Sequence, residues 1–309
     1  MNNPVRVIAV VVTWNRRDLL AETLDALAAQ TRPADAIVVV DNASSDGTGE
    51  LLDECSTSAG LDVVTLRRNT GGAGGFAAGL RRALDHHDPD LVWLMDDDTV
   101  PRSRALAGLL DTRDRYPGPP PTVLASRVEW TDGRDHPMNT PRRKPFVGRS
   151  EARSASRAGA VAIRSASFVS IAVDASTVRE RGLPVADYFL WNDDFEFSTR
   201  MLRGSVGLLC LDSVVVHKTR TFGSTDADPG ERFYYEVRNK VWLFTRSSGL
   251  SPLEKVVYAG STVRRWRRTY AASSDRPTLR RALRRGLAAG LSSGPRPTDE
   301  VLARAGADD

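Results

Sequence analysis

The chain has 309 residues, and its 41% hydrophobic content is enough to form a core for one large domain or one domain with an appendage. Its net charge is +4, with the basic excess concentrated after residue 262. Those arginines accompany no recognised nucleic-acid-binding module, so we expect no nucleic-acid partner. Cys55 and Cys210 lack metal- or redox-type spacing, which is typical of free thiols in a reducing compartment.

The first hundred residues alternate between two apolar patterns in chain order. Short β-branched runs predict buried strands, and leucines at helical spacing predict the helices between them. This alternation indicates βαβ units, and therefore an α/β fold with a mostly parallel sheet flanked by helices. Strands are predicted at 5–12, 36–40, 63–66 and 91–95, and helices at 18–29, 48–55 and, after a Gly-rich turn at 71–75, up to residue 84.

The second half of the chain is less regular. Residues 116–158 are rich in Pro, Arg, Gly and Ser, which predicts a long loop with one strand, and within it a mobile basic segment at 131–158. The strand within the loop is predicted at 122–128. Beyond the loop, strands are predicted at 160–172 and 213–217, and helices within 189–202 and at 233–244, followed by an Arg-rich helical tail after Pro252. No apolar run reaches transmembrane length and no leader-peptide pattern precedes the first strand, so we expect a cytoplasmic protein.

Three consecutive carboxylates follow the strand predicted at 91–95. They repel one another and are costly to desolvate, and a divalent cation such as Mg²⁺ or Mn²⁺ would remove that cost. In an extended segment Asp96 and Asp98 share a face while Asp97 points away, so the first two could hold one metal ion that also binds a diphosphate. The alternative is an acidic, solvated turn before Pro101.

Polar residues also follow the other predicted strands. Ligands of open α/β sheets bind beyond the carboxyl ends of the strands, where Thr13 and Asn15, Asp41, and the segment 69–74 are expected. Asp41 could accept hydrogen bonds from a base or a ribose, or it could form an Asx-turn. The glycines of 71–75 permit close backbone approach to a ligand, or they form a tight turn between strand and helix.

Five motifs occur in a characteristic order: VVVTWNR, VVVDNASSDGT, RRNTGGAGGFAAGL, VWLMDDDTVP and WNDDFEFSTR. Together they make roughly residues 5–245 resemble the inverting family-two glycosyltransferases, which have the Rossmann-like GT-A fold. The additional segments HKTRTFG and RFYYEVRNK are most similar to actinobacterial galactofuranosyltransferases and related rhamnosyltransferases. Those enzymes act on lipid-linked or polymeric glycans of the cell envelope.

The resemblance implies roles for the strand-end residues. Asp96, Asp98 and His217 would bind Mn²⁺ or Mg²⁺, although His217 could equally be a satisfied histidine at a strand end. A UDP- or dTDP-sugar would bind to the remaining candidate donor contacts, which are Thr13, Asn15, Arg16, Asp41, Asn69, Gly71, Gly72, Gly74, Asp97, Trp191 and Arg238.

The motif at 191–196 matches the segment that supplies the catalytic base in these enzymes, with Asn192 between the tryptophan and the acidic pair. An inverting transfer requires a carboxylate that takes the proton of the attacking hydroxyl. We therefore assign Asp194 as the base and Asp193 as a ligand of donor or acceptor hydroxyls. Alternatively, these acids and Glu196 simply favour the start of a helix.

Two further segments each have two interpretations. The polar and aromatic residues at 232–242 could contact the leaving group or acceptor, or could belong to a packed amphipathic helix. In the tail, leucines at 279, 283 and 287 share a helix face among many arginines. That face could contact an anionic membrane, giving peripheral contact at the inner leaflet, or it could pack on the catalytic domain.

The predicted organisation is a GT-A catalytic domain at 1–245 followed by the helical tail at 246–309. Residues 1–100 would form the nucleotide-binding half and 101–245 the acceptor half. The expected function is metal-dependent inverting transfer of a sugar, with galactofuranose from UDP favoured over rhamnose from dTDP, to a glycan or polyprenyl-linked acceptor. A nucleotidyltransferase and a non-catalytic nucleotide-sugar-binding protein are the weaker alternatives.

Overall fold

Ten strands form the central sheet of the computed structural model, which describes residues 4–59, 61–222 and 228–307. The strands are β1 Val7–Thr13, β2 Ala36–Asp41, β3 Asp62–Thr65, β4 Leu91–Asp96, β5 Thr99–Pro101, β6 Val123–Glu129, β7 Arg142–Arg143, β8 Ala160–Ser165, β9 Ile171–Asp174 and β10 Gly207–His217. They are ordered β3-β2-β1-β4-β9-β6-β10-β8-β7, and β5 pairs with β10.

The helices lie on both faces of this sheet and in a C-terminal group. They are α1 Arg17–Ala28, α2 Thr48–Ala59, α3 Gly71–His86, α4 Ala105–Arg115, α5 Arg149–Arg157, α6 Ala175–Arg181, α7 Asp193–Met201, α8 Phe233–Thr245, α9 Pro252–Ala272, α10 Arg276–Ser292 and α11 Thr298–Ala303. Short 3-10 turns precede α7 and α8.

The unbroken apolar run of β1 is explained by burial on both faces. Ile8 and Val10 pack in one core cluster with side chains of α3 and α11, whereas Ala9 and Val11 pack in a second cluster with α1 and α4. Strands β3, β2, β1 and β4 are all parallel, so their carboxyl ends meet at one edge of the sheet. Residues 1–100 therefore have the predicted βαβ architecture.

The second half of the sheet is mixed, and there the predictions were less accurate. The single strand predicted at 160–172 is two strands: β8 pairs antiparallel with β10, and β9 lies antiparallel between β4 and β6. Between them, Ala166 and Ser170 are buried outside any strand. Small residues fit both a strand and a buried connection, so the sequence pattern does not show the break.

Two further elements differ from the sequence prediction. Helix α5 lies within the predicted loop at 116–158, and Ala155 is its one buried residue in the described structure, so no apolar periodicity indicates it. Strand β10 begins six residues before the predicted strand at 213–217 and changes register between Cys210 and Val214, where the alternation of side chains is interrupted.

The C-terminal helices resolve the two interpretations of the leucine face in favour of packing. Leu279 is buried on α10, and Leu283 and Leu287 are partly buried in the same cluster, against Phe233 and Val237 of α8. A Cβ at Gly286 would lie 2.7 Å from the Cβ of Val237, so glycine permits the close approach of the two helices. Within the described ranges, no helix is both long enough and apolar enough to cross a bilayer.

Candidate active site

The carboxyl end of β4 carries the acidic run into a tight turn. Asp96 ends β4, and β5 begins at Thr99 and pairs antiparallel with the end of β10, where His217 lies opposite Thr99. The fold thereby brings together Asp96, Asp98 and His217, with one potential ligand atom from each within 4.8 Å of the others. This is the group that the sequence suggested for a divalent cation.

Asp97 points away from this group, as predicted, but it does so in a turn and not in the extended segment on which that prediction was based, and it ties the turn to β1. Its Oδ2 accepts a hydrogen bond of 2.9 Å from Thr13 Oγ1 and one of 3.3 Å from the backbone N–H of Trp14. Arg16 forms ion pairs with both Asp97 and Asp98. Two of the predicted donor contacts, Thr13 and Arg16, therefore lie against the acidic turn.

The orientation of His217 is set by a residue that the sequence analysis did not identify. Its Nδ1 lies 3.0 Å from Asn139 Oδ1, an acceptor, so this ring nitrogen carries the proton. In the neutral ring Nε2 then has a free electron pair, and it lies 3.0 Å from Asp98 Oδ1. That buried oxygen receives no hydrogen bond from the described residues. Two electron-rich atoms at this distance require a proton or a cation between them.

The pKa values of the acidic turn indicate the same need for a cation. Burial, together with the charge of Asp98, raises the pKa of Asp96 to about 7. Burial also raises the pKa of Asp98, but His217 and Arg16 outweigh this and hold it below its ordinary value. The pKa of His217 is raised by the two carboxylates against the opposing effect of burial. An oxygen-rich group with one imidazole fits Mn²⁺ or Mg²⁺.

The glycines at the start of α3 have different surroundings and therefore different structural roles. They form the first turns of the helix itself, not a turn before it as predicted. Gly71 has φ +69, and a Cβ there would lie 1.9 Å from the carbonyl oxygen of Phe189. A Cβ at Gly74 would collide with Thr70, whereas one at Gly72 would meet only Asp193 Oδ2 at 4.0 Å. Gly72 therefore faces open space beside the acidic pair.

Asn69 and Asp41 both have local backbone partners. Asn69 Oδ1 accepts from the N–H of Gly71 at 2.6 Å. Buried Asp41 accepts through Oδ1 from the N–H of Ser44, three residues along the chain, at 2.9 Å, a local loop hydrogen bond that spans one residue more than the Asx-turn considered as an alternative. Asn15 holds the same loop through the N–H of Ser45 at 2.7 Å. These three residues lie at the predicted edge of the sheet and stabilise its loops.

The acidic pair at the start of α7 is presented by a strained segment. Phe189, Trp191 and Asn192 all have positive φ, between 63° and 67°, a conformation that costs about 1–3 kcal/mol for each such residue. Arg238 and Asn239 of α8 hold this segment, and the Asn239 amide donates to the carbonyls of Tyr188, Leu190 and Trp191 at 2.8–2.9 Å.

The guanidinium of Arg238 also supports the segment that presents the acidic pair. It donates to the carbonyls of Asp187 and Tyr188 and lies over the ring of Trp242. This buried arrangement agrees with the packed-helix interpretation of 232–242. Glu196 is structural as well, because it pairs with Arg200 and accepts from Ser247.

One cavity joins the two acidic groups. Its lining includes Gly72, Asp96 and Trp191 together with Asp193 and Asp194. Burial raises the pKa values of Asp193 and Asp194 above the ordinary carboxyl range, and for Asp193 the charge of Asp194 adds to this. A carboxylate with a raised pKa is a stronger base than an exposed one, which suits it to proton abstraction.

The sequence analysis missed Asn139 and Lys240, which line the space next to Asp194. Asn139 lies in the predicted loop, and Lys240 lies among the aromatic residues of α8. Asn139 belongs to no motif. Lys240 ends the segment RFYYEVRNK and lies within 232–242, which was considered for contact with the acceptor, but nothing in the sequence singled out this residue.

Comparison with known proteins gives consistent sequence matches. The profile of the family "Glycosyl transferase family 2" matches residues 8–171. The chain is 32% identical over 260 residues to galactofuranosyltransferase GlfT1 of Mycobacterium tuberculosis (strain H37Rv), which covers 78% of this chain and 82% of that protein. It is 34% identical over 225 residues to GlfT1 of Mycolicibacterium smegmatis, which covers 70% of this chain and 72% of that protein.

Solved structures share the fold at lower sequence identity. S. aureus TarS 1-349 in complex with UDP-GlcNAc has a TM-score of 0.64 at 17% identity, covering 97% of this chain and 83% of that one. Mannosyltransferase PcManGT from Pyrobaculum calidifontis, in complex with GDP-Man and Mn²⁺, has a TM-score of 0.56 at 20% identity, covering 99% and 81%. The predicted GT-A fold class is thus confirmed, and the chain belongs to glycosyl transferase family 2 and is a glycosyltransferase.

Proposed function

We propose that the protein is a metal-dependent, inverting galactofuranosyltransferase that uses a UDP-linked donor and acts on a glycan or polyprenyl-linked acceptor of the cell envelope. The observation that carries this proposal is the single cavity that Asp96 shares with Asp193 and Asp194, in a chain 32–34% identical to two galactofuranosyltransferases. A leaving-group site and a base must face each other across the sugar for inversion in one displacement.

The donor diphosphate would lie between the acidic turn and Gly72. A divalent cation held by Asp96, Asp98 and His217 would supply charge neutralisation for the departing diphosphate. Gly72 leaves room for the donor, while Thr13 and Arg16 fix the turn through Asp97 and Asp98. The nucleotide would bind toward Asp41, at the carboxyl end of β2.

Asp194 would act as the general base. The acceptor oxygen attacks the anomeric carbon, the bond from that carbon to the diphosphate oxygen breaks, and Asp194 takes the hydroxyl proton. Asp193, beside it and nearer to Gly72, would orient sugar hydroxyls. The strained backbone at 189–192 holds the acidic pair in this position through the hydrogen bonds from α8.

Nucleotide release by the full chain tests the proposal. UDP-galactofuranose, UDP-galactopyranose and dTDP-rhamnose would be compared with Mn²⁺, with Mg²⁺ and with excess EDTA, beside an Asp18→Asn variant that changes an exposed carboxylate. We expect the first donor to be favoured and EDTA to abolish release. A preference for dTDP-rhamnose would instead support the rhamnosyltransferase alternative, and full turnover in EDTA would overturn the metal assignment.

Peripheral contact with the inner leaflet remains part of the proposal, but the surface moves from α10 to α9. Leu253, Val256 and Val257 are 63–74% exposed on α9, and Arg264 and Arg268 follow on the same helix. Exposed aliphatic residues beside cations suit an anionic bilayer. Sedimentation with anionic vesicles should fall for Val256→Glu, and equal sedimentation of the variant and the wild type would overturn this contact.

A further inference from the structure

A basic pocket lies on the side of Asp194 that faces away from the acidic turn. It shares Asn139, Ser167, Asn192 and Asp194 with the cavity described above, but neither Asp96 nor Gly72 lines it. Its lining includes three cations from separate elements: Arg142 of β7, Lys240 of α8 and Arg265 of α9. Since the donor would occupy the side of Asp96, this pocket is on the acceptor side.

Lys240 is the central group of the pocket. The residue is only 6% exposed, and among the described residues its ammonium group makes no hydrogen bond or ion pair. Nζ lies over the ring of Phe195, 4.8 Å from its centroid. Most of the side chain is buried, but Nζ is not one of the fully buried polar atoms that lack a partner, so its three donors face the open space of the pocket and are available to an acceptor on a ligand.

The charged groups around Lys240 include more cations than carboxylates that are free to pair with them. Arg265 is already paired with Glu236, which also accepts from Asn192 at 2.8 Å. Arg142 lies over the rings of Phe195 and Tyr258. Asp194 is the one carboxylate lining the pocket within the described chain. Burial, together with the charges of Arg265 and Arg142, lowers the pKa of Lys240 to about 8.

We infer that this pocket binds an anionic group of the acceptor, a phosphate or a carboxylate, through Lys240 and Arg142 and close to the hydroxyl that Asp194 deprotonates. This inference rests on the proposed function, because it takes Asp194 to be the base. Lys240 would form a charge-assisted hydrogen bond with the anion, and the guanidinium of Arg142 suits bidentate contact with it. An anion held there would orient the acceptor for attack.

Binding of matched acceptors to the full chain tests the inference. Four synthetic galactofuranosyl disaccharides would be titrated by calorimetry in saturating UDP and Mn²⁺, so that no anion enters the donor site. One is a neutral octyl glycoside, and the others carry a phosphate ester, a uronic carboxylate or a farnesyl diphosphate. We expect at least one anionic probe to bind about tenfold or more tightly than the neutral probe. The probe that binds more tightly identifies whether the anion is a phosphate ester, a carboxylate or a lipid-linked diphosphate.

The variants make the test specific. Lys240→Met should remove the advantage of the anionic probe, and Arg142→Met, at an exposed position, tests the same site should the buried variant melt early. Arg143→Met, the next residue of β7 and not part of the pocket lining, should keep the advantage. Equal binding of all four probes, or an advantage that survives both pocket variants, would overturn the inference.

Turnover measured beside binding separates the two proposals. Sugar transfer to the disaccharides without any anionic advantage in binding would overturn the anion pocket and leave the transferase assignment standing. An anionic advantage that Lys240→Met removes, in a protein that transfers no sugar from any donor tested, would support the pocket and overturn the proposed function.

Discussion

The two sides of Asp194 carry opposite charge and are built differently. On one side, Asp96 and Asp98 come from a single turn between two strands, and their adjacent carboxylates require a cation to neutralise them. On the other, Arg142, Lys240 and Arg265 come from a short strand and two helices that are far apart in sequence. The two carboxylates of the acidic side are therefore close in sequence and held by the sheet, whereas the basic side forms only when α8 and α9 pack beside it.

Asp194 lies between the acidic and the basic side, so we expect its replacement to have the largest effect on sugar transfer. Asp194→Asn keeps the shape but cannot accept a proton, and we expect transfer to fall by about 10²–10⁴-fold. Donor binding, which depends on the acidic side, should persist. Turnover and donor titration on the same preparation check this, and normal turnover together with an inactive Asp193→Asn would show that the roles of the pair are exchanged.

On the acidic side, substitutions at two neighbouring glycines should change two different quantities, the free energy of unfolding and the affinity for the donor. Gly71→Ala places a Cβ against the Phe189 carbonyl at positive φ, so we expect a loss of about 3 kcal/mol in the free energy of unfolding. Gly72→Ala faces open space, so it should leave stability unchanged and weaken donor binding instead. Denaturant unfolding and donor titration of both variants decide this, and a matched loss of stability would contradict it.

Asn139 links the two sides, because it orients His217 and also lines the basic pocket. Asn139→Ala frees the tautomer of His217, so Mn²⁺ affinity should fall by about 10–100-fold. Ser167→Ala is the matched control, since it removes the 3.4 Å contact of the Asn139 amide nitrogen and leaves the histidine contact intact. Calorimetric titration with Mn²⁺ measures both, and equal affinity of wild type and Asn139→Ala would reject the orienting role.

The two sides should also respond oppositely to pH when metal is chelated. The raised pKa of Asp96 means that the fold binds its proton more tightly than the unfolded chain does. Its stabilising contribution is therefore present at low pH and lost as pH rises toward about 7, and the raised pKa of His217 acts with the same sign. The lowered pKa of Lys240, about 8, gives the opposite slope between about 8 and its ordinary value of 10.5.

Thermal melting in EDTA checks these signs. We expect the melting temperature to fall by on the order of 5 °C between pH 5 and pH 7, and added Mn²⁺ to restore it. Asp96→Asn should reduce this slope without abolishing it, because burial also raises the pKa of Asp97 to about 6, and Lys240→Met should flatten the rise above pH 8. A melting temperature that increases from pH 5 to pH 7 in EDTA would contradict the assigned origin.

The strand-end chemistry of the first half was predictable because it is local. A parallel sheet forces the residues after β1, β2 and β4 to one edge, so Thr13, Asp41 and the acidic turn had to be neighbours. Asp97 was also expected to point away from its two neighbours, but it does so because of a turn at 97–98 and not because of alternation along an extended chain. The hydrogen-bond partners of these residues, such as the N–H of Ser44 for Asp41, were not predictable, because they depend on exact loop geometry.

In the second half, small and polar residues gave ambiguous signals. The segment 160–172 could not reveal its division into β8 and β9, and α5 has almost no buried face to produce periodicity. The leucines at 279, 283 and 287 were identified as one helix face, but only contact with α8 decided that this face is packed. Helical spacing defines a face, and the available neighbours decide what covers it.

The sequence by itself determined the α/β class, the acidic turn and the acidic pair before α7, because each is encoded by periodicity or by a contiguous motif, whereas His217 became a candidate ligand only through the family resemblance. The tertiary structure alone decided that Asn139 orients His217, that Arg238 and Asn239 support a strained backbone, and that Lys240 lies beside Asp194. These are long-range juxtapositions, and a chain pattern carries no information about the space between side chains that packing brings together.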